Sequence, residues 1–178
     1  FQSDDGSGGV TTYFYLDGSQ ERTNFENSIR LHDNVQAQFG NAGDMQIYHN
    51  GTNSYMSNST GDFYIEQLKD DGDIIFKSDD GSGGTASYFS LDGSTVMTKF
   101  QKNVMFQDSV IVYYGTGFDF SINHNGSNTL ITNNTGNVLF TQNADDGNIS
   151  FYSDDGSGGA AEYFRVDGGD ENVLFSKI

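Results

Sequence analysis

The chain has 178 residues, only 34% of them hydrophobic, and its 25 acidic against 8 basic side chains give a formal net charge of −17 and a pI near 4.1. That excess of negative charge argues against nucleic acid and anionic membrane surfaces as partners, because contact with phosphate would be repulsive. Without cysteine the chain has no disulfide, thiolate metal site or cysteine nucleophile, and no apolar run approaches the roughly 20 residues a membrane helix needs, so membrane insertion is not expected.

Taken from the start, the chain opens on Ser3-Asp4-Asp5-Gly6-Ser7-Gly8-Gly9, followed by Tyr13-Phe14-Tyr15-Leu16-Asp17-Gly18. The same stretch returns at Ser78 to Gly84 with Tyr88 to Gly93, and again at Ser153 to Gly159 with Tyr163 to Gly168, 75 residues apart each time. Residues 1–75 written above 76–150 without a gap give 33 identities. Self-similarity at a fixed period is the mark of a repeat architecture, here unit 1 at 1–75, unit 2 at 76–150 and a partial unit 3 at 151–178. Phe1 aligns with Phe76 and Phe151, in mid-unit, so the chain is expected to be a piece of a longer protein.

The Asp-Asp-Gly-Ser-Gly-Gly run supplies residues that accept positive φ and side chains that bond their own backbone. It predicts a loop of about five residues between antiparallel strands. Val10 to Leu16 is β-branched and aromatic, a strand closed by the tight Asp17-Gly18 turn. Residues 20–39 carry Phe25, Ile29, Leu31, Val35 and Phe39 at helical spacing, but the aligned Val104-Met105-Phe106 and Val110 to Tyr114 have strand composition, which decides for strand. After the break at Gly40 to Gly43, Asp44 to His49 leads through Asn50-Gly51, a type I′ signal, into a return strand Asn53 to Ser57. A turn at Asn58 to Gly61, a strand at Asp62 to Gln67, a turn at Asp70-Asp71-Gly72 and a strand at Asp73 to Lys77 complete the unit. The whole is expected to be all-β, a meander of short antiparallel strands with almost no helix.

So polar a composition would suit disorder, were it not for 15 Phe and 10 Tyr at strand-like spacing. A 75-residue unit this poor in apolar residues buries a weak core alone. The faces carrying Phe14, Phe89, Phe164, Ile74 and Ile149 are therefore expected to meet other chains, and a closed homotrimer, elongated and fibrous, would cover both those faces and the open sheet edges.

For chemistry, the Asp pairs Asp4-Asp5, Asp79-Asp80 and Asp154-Asp155 are candidate calcium ligands, since calcium takes six to eight oxygens from carboxylates and loop carbonyls. They lack the EF-hand spacing and the Gly-Gly-x-Gly-x-Asp array, so solvated turn aspartates are expected and no cofactor is assigned. His49 and His124 share one repeat position, where three copies could converge on an axis and hold a transition metal, though no paired carboxylate stands out in the sequence. No Ser, His, Asp grouping follows a catalytic spacing and the acidic residues lie in turns, so no enzyme and no catalytic residue is expected.

From Gly43-Asp44-Met45-Gln46-Ile47-Tyr48-His49-Asn50-Gly51 to Ile65, the chain resembles a repeat found in tail-fibre and other structural proteins of marine bacteriophages, cyanophages included. The Ser-Asp-Asp-Gly-Ser-Gly-Gly to Leu-Asp-Gly stretch is similar to the same group. The resemblance implies a trimeric, β-rich fibre of a virion or extracellular assembly that serves host attachment and has no catalytic residues to carry over. The alternative is a carbohydrate-binding adhesin or receptor-binding module. In unit 2, Asn123 and Leu130 replace Tyr48 and Tyr55, so those positions do not form a site that every unit needs.

Overall fold

The computed structural model describes residues 1–176; Lys177 and Ile178, the end of the third segment, lie outside the described residues. Every regular element among them is a strand, as the composition predicts, and no strand pair is parallel. Two compact units divide the chain, Phe1–Lys99 and a second beginning at Phe100.

The first unit opens with two small sheets, β1 (Gln2–Asp4) with β2 (Val10–Thr12), and β3 (Phe14–Asp17) with β4 (Arg22–Phe25). A three-stranded sheet follows, β5 (Ala37–Phe39), β6 (Met45–His49) and β7 (Ser54–Asn58), then another of β8 (Ile74–Asp79), β9 (Thr85–Asp92) and β10 (Met97–Phe100), whose last residue crosses the boundary. The second unit has β11 (Val112–Tyr114), β12 (Phe120–His124) and β13 (Thr129–Asn133), then β14 (Ile149–Asp154), β15 (Ala160–Asp167) and β16 (Asn172–Phe175). The bounds of β5 through β10 reappear 75 residues later in β11 through β16. In every sheet the strands lie in chain order, each beside its sequence neighbour.

The loop from Asp79 to Thr85 spans residues 80–84, the five-residue connection that its Asp-Gly-Ser-Gly-Gly composition predicts. Just inside it the register slips: Phe76 pairs with Phe89 but Lys77 pairs with Ser87, which leaves Tyr88 as an extra residue, a β-bulge. Tyr163 is the extra residue at the same place in β15. Each bulge tyrosine donates its hydroxyl to the carbonyl oxygen of the aspartate that ends the preceding strand, Tyr88 to Asp79 at 2.8 Å and Tyr163 to Asp154 at 2.9 Å. Tyr13, between β2 and β3, does the same to Asp4 at 3.0 Å, so Val10 to Leu16 is two strands rather than the single one expected.

Three other expectations are corrected. The segment 20–39 is strand only at Arg22–Phe25 and Ala37–Phe39, because a turn at Asp33-Asn34, with Asn34 at φ 65°, breaks the extended chain. The hairpin after His49 is not type I′: four residues lie between paired His49 and Ser54, and only Gly51 (φ 94°) takes the left-handed conformation that I′ needs twice. The Asp-Gly turns likewise span four residues, as between paired Asp17 and Arg22 or Asp167 and Asn172, with their positive φ at Glu21 and Glu171. Residues 62–67 form no strand, nor do the aligned 137–142, despite Phe63-Tyr64-Ile65. A strand requires a partner for its backbone, and these segments pair with none of the strands described.

The sheets are two-faced. In the last one Ile149 pairs with Val166 and Val166 with Val173, while Phe151 pairs with Phe164 and Phe164 with Phe175. Alternation along a strand puts these six apolar side chains on one face, and Ser150, Arg165, Leu174 and Asp167 on the other. Rings line the apolar face, Phe151 stacked on Phe164 at 4.3 Å and Phe175 tilted against Phe164 at 5.9 Å between centroids. On the polar face Arg165 binds Asp167 (2.8 Å) and Glu162 (3.0 Å). Phe76 stacks on Phe89 at 4.3 Å, and Phe14 lies between Phe1 (5.1 Å) and Phe25 (5.8 Å) in the same manner.

Burial is inverted with respect to an ordinary globular domain. Among the described residues no hydrophobic side chain is buried, whereas Ser90 (5% exposed) and Asp167 (8%), both on polar faces, are. The chain exposes 14614 Å². A folded monomer of its 19.5 kDa would expose about 8,500 Å² by the usual mass scaling, leaving on the order of 6,000 Å² uncovered.

Candidate functional site

Each Asp pair is built into its own loop. Asp80 Oδ1 accepts hydrogen bonds from the Ser82 backbone N–H (2.8 Å), the Ser82 hydroxyl (2.7 Å) and the Gly84 N–H (3.1 Å), while Asp79 Oδ1 accepts from Gly81 N–H at 2.6 Å. Asp5 and Asp155 repeat the three contacts of Asp80, and Asp4 and Asp154 take the N–H of Gly6 and Gly156. These are Asx-type turns in which the carboxylate replaces a missing strand partner for three loop donors. Among the described residues no three His, Cys, Asp or Glu side chains gather as a metal-holding group.

The hydrogen bonds hold Asp80 below the usual carboxylate range, first through the Ser82 hydroxyl and then through the backbone of Ser82 and Gly84. Asp155 is lowered by the equivalent bonds, and Asp5 chiefly by the Ser7 backbone. A carboxylate whose folded pKa lies below its unfolded value, about 3.9, adds stability that is fully present above that value and is lost as pH falls through the folded one. The triple variant Asp5→Ala, Asp80→Ala, Asp155→Ala is therefore expected to unfold at lower urea than the parent by a constant margin from pH 8 to 5. Below about pH 4 the margin should close. A margin unchanged down to pH 2, at fixed protein concentration, would show that these carboxylates do not act through their charged form.

Turn aspartates of a second set close the four-residue loops. Asp17 Oδ1 accepts from Ser19 N–H, Ser19 hydroxyl and Gln20 N–H, and Asp167 Oδ1 from Gly169 and Asp170 N–H. Asp92 is lowered chiefly by its ion pair with Lys99, then by the Ser94 hydroxyl and Thr95.

The structure gives the two histidines partners that sequence reasoning overlooked. His49 Nδ1 lies 3.2 Å from Asp33 Oδ1, and His124 Nδ1 lies 3.0 Å from Asp108 Oδ1. The same nitrogen also faces a backbone donor, Gly51 N–H at 3.1 Å and Gly126 N–H at 3.2 Å. Gly51 N–H needs the bare lone pair of Nδ1 and the Asp33 carboxylate needs a proton on it, so the two contacts are alternatives set by which ring nitrogen carries hydrogen. Around the pair, Asn34 N–H bonds the His49 carbonyl at 2.8 Å and Ser109 N–H the His124 carbonyl at 2.7 Å, which ties the 33–34 and 108–109 turns to the ends of β6 and β12. A signal for the partners was present, since Asp33 and Asp108 are identical across the copies while most of their neighbours are not. Each such pair is open to solvent.

The apolar sheet faces carry exposed side chains. Phe175 is 65% exposed at the end of its row, and Phe151 and Val173 are exposed beside it. Of the residues that sequence analysis singled out for contact with other chains, Phe14, Phe89 and Phe164 lie in stacked rows and Ile74 and Ile149 pair with Leu91 and Val166 on the same faces. No helix among the described residues is long and apolar enough to cross a membrane. No protein-family model, curated protein or solved structure matches the chain.

Proposed function

We propose that the chain is a section of an extracellular or virion fibre, a shaft or spacer in which three copies close around one axis and the 75-residue units follow one another along it. The observation that carries this reading is a chain with a complete set of hydrogen-bonded strands and no buried hydrophobic side chain among its described residues. Backbone pairing alone does not hold a fold, because burial of apolar surface is the dominant favourable contribution. The missing core must be supplied by other molecules, and about 6,000 Å² of excess surface per chain is on the scale of obligate oligomers. Identical copies supply it with closure, as cyclic symmetry allows. A spacer also agrees with the near-identity of strand bounds in the two units, since a recognition site would set one unit apart.

Sedimentation equilibrium of the purified chain tests it. The expected mass is three times 19.5 kDa. A folded particle of one chain mass at micromolar concentration would overturn the fibre reading and leave the carbohydrate-binding module in its place. One observation favours that second reading: Tyr48 stacks on Tyr55 at 4.9 Å, with the Asn50 amide donating to the Tyr55 hydroxyl at 3.2 Å. Aromatic faces beside an amide suit a sugar, and the pair exists only in unit 1, where Asn123 and Leu130 do not replace it.

A further inference from the structure

We infer that the phenylalanine rows of β8–β9–β10 and β14–β15–β16 are the surfaces on which copies of this chain meet, a proposal that rests on the fibre reading above and specifies which face does the joining. Three observations select this face over the other.

The first is charge. Two chains each carrying −17 repel, so a stable contact between them needs a surface free of like charges. The row face of the last sheet, Ile149, Val166 and Val173 with Phe151, Phe164 and Phe175, has no ionisable side chain. The opposite face holds Arg165 and Asp167, and in the equivalent sheet β8–β9–β10 Lys99 and Asp92 form an ion pair there.

Burial is the second. On the polar faces Ser90 and Asp167 are already covered within the chain, and Arg165 has both its carboxylate partners there. The charged groups of the polar face are thus satisfied by the chain itself, and the exposed apolar surface there is single residues such as Leu174 (41%), against the row of Val173 (55%) and Phe175 (65%) on the other face. Each row face remains open.

The third is the form of the surface. Phe151 stacked on Phe164, with Phe175 tilted against it, makes a continuous ridge of rings across three adjacent strands. The row recurs at a 75-residue interval, so each unit carries the same surface for the same unit of a second copy. Two like ridges interlock without any new residue type, which is what an interface between identical chains requires. Aromatic residues are also the side chains enriched in the buried centre of interfaces.

Val173 and Leu174 allow a direct test, because they are adjacent in sequence, comparably exposed in the chain (55% and 41%) and on opposite faces of β16. As the chain has no cysteine, Val173→Cys and Leu174→Cys are single-thiol proteins. In the assembled protein the thiol at 173 is expected to be joined to another chain by a flexible bis-maleimide, and to react with iodoacetamide about tenfold more slowly than the thiol at 174. Val166→Cys, on the same face, should behave as Val173→Cys does and serves as the second reporter if one variant fails to assemble. If the wild-type chain has the trimer mass but position 174 is the protected and cross-linked one, or the two react alike, the row proposal is wrong and the fibre reading stands. If the wild-type chain is a folded monomer, the fibre reading fails and the row proposal with it.

Discussion

Dilution is expected to unfold the protein rather than to release a folded monomer. An ordinary domain of 178 residues keeps its core when its partners leave, but here no hydrophobic side chain among the described residues is buried in the chain. On the trimer reading association is part of folding, and each tenfold dilution removes about 1.4 kcal/mol for every chain beyond the first, about 2.7 kcal/mol per mole of trimer. Far-ultraviolet circular dichroism and sedimented mass should therefore fall together as concentration drops, and the thermal midpoint should rise with concentration. Persistence of the β-sheet signal in particles of one chain mass would refute the coupling.

The second large effect is expected from a single methyl group. A Cβ on Gly93 would lie 2.4 Å from the carbonyl oxygen of Gly72, and one on Gly168 would lie 2.3 Å from that of Gly147. Both obstacles are backbone atoms held by their own turns, since Gly72 N–H bonds the Lys69 carbonyl at 2.9 Å and Gly147 N–H that of Ala144 at 3.0 Å, while Gly93 N–H and Gly168 N–H are tied to Asp73 Oδ1 and Asn148 Oδ1. The Asp-Gly turn therefore sits directly on the Asp-Asp-Gly turn that precedes the sheet, too close for any side chain. Gly93→Ala and Gly168→Ala should each destabilise by about 2–4 kcal/mol, in the range of overpacking and backbone displacement. Gly18 occupies the same position in the first copy, but its added Cβ meets nothing within 4 Å, so Gly18→Ala should stay within about 0.5 kcal/mol. Urea midpoints at one protein concentration compare the three. Equal midpoints would mean that the turns do not touch as described.

Local chemistry was what the sequence expressed most clearly. The loop 80–84 and the strands Met45–His49 and Ser54–Asn58 lie close to where turn residues place them, because Gly, Asn and Asp fix a reversal within a few residues. The residues of segment 62–67 were misjudged for a related reason. Their aromatic and β-branched composition reports a wish for a packed neighbour, and the chain provides no strand beside them; Tyr64 is 73% exposed. The bulge at Tyr88 and Tyr163 was not legible either, since a side chain reaching nine residues back to a carbonyl leaves no periodic trace. Asp33 and His49 are 16 residues apart, and only their joint retention as Asp108 and His124 hints that they touch.

That every strand pairs only with its sequence neighbour has a consequence for how quickly the molecule forms. Hairpins of this kind close in about 1–10 μs, and no pairing in the chain waits for a distant segment to return. Nothing within one chain is slow, but nothing within one chain is finished either. If copies close on one another as proposed, the bottleneck is the encounter between chains, a step whose rate grows with concentration, and the half-time for acquiring structure is then set by how crowded the chains are when they are made rather than by their length.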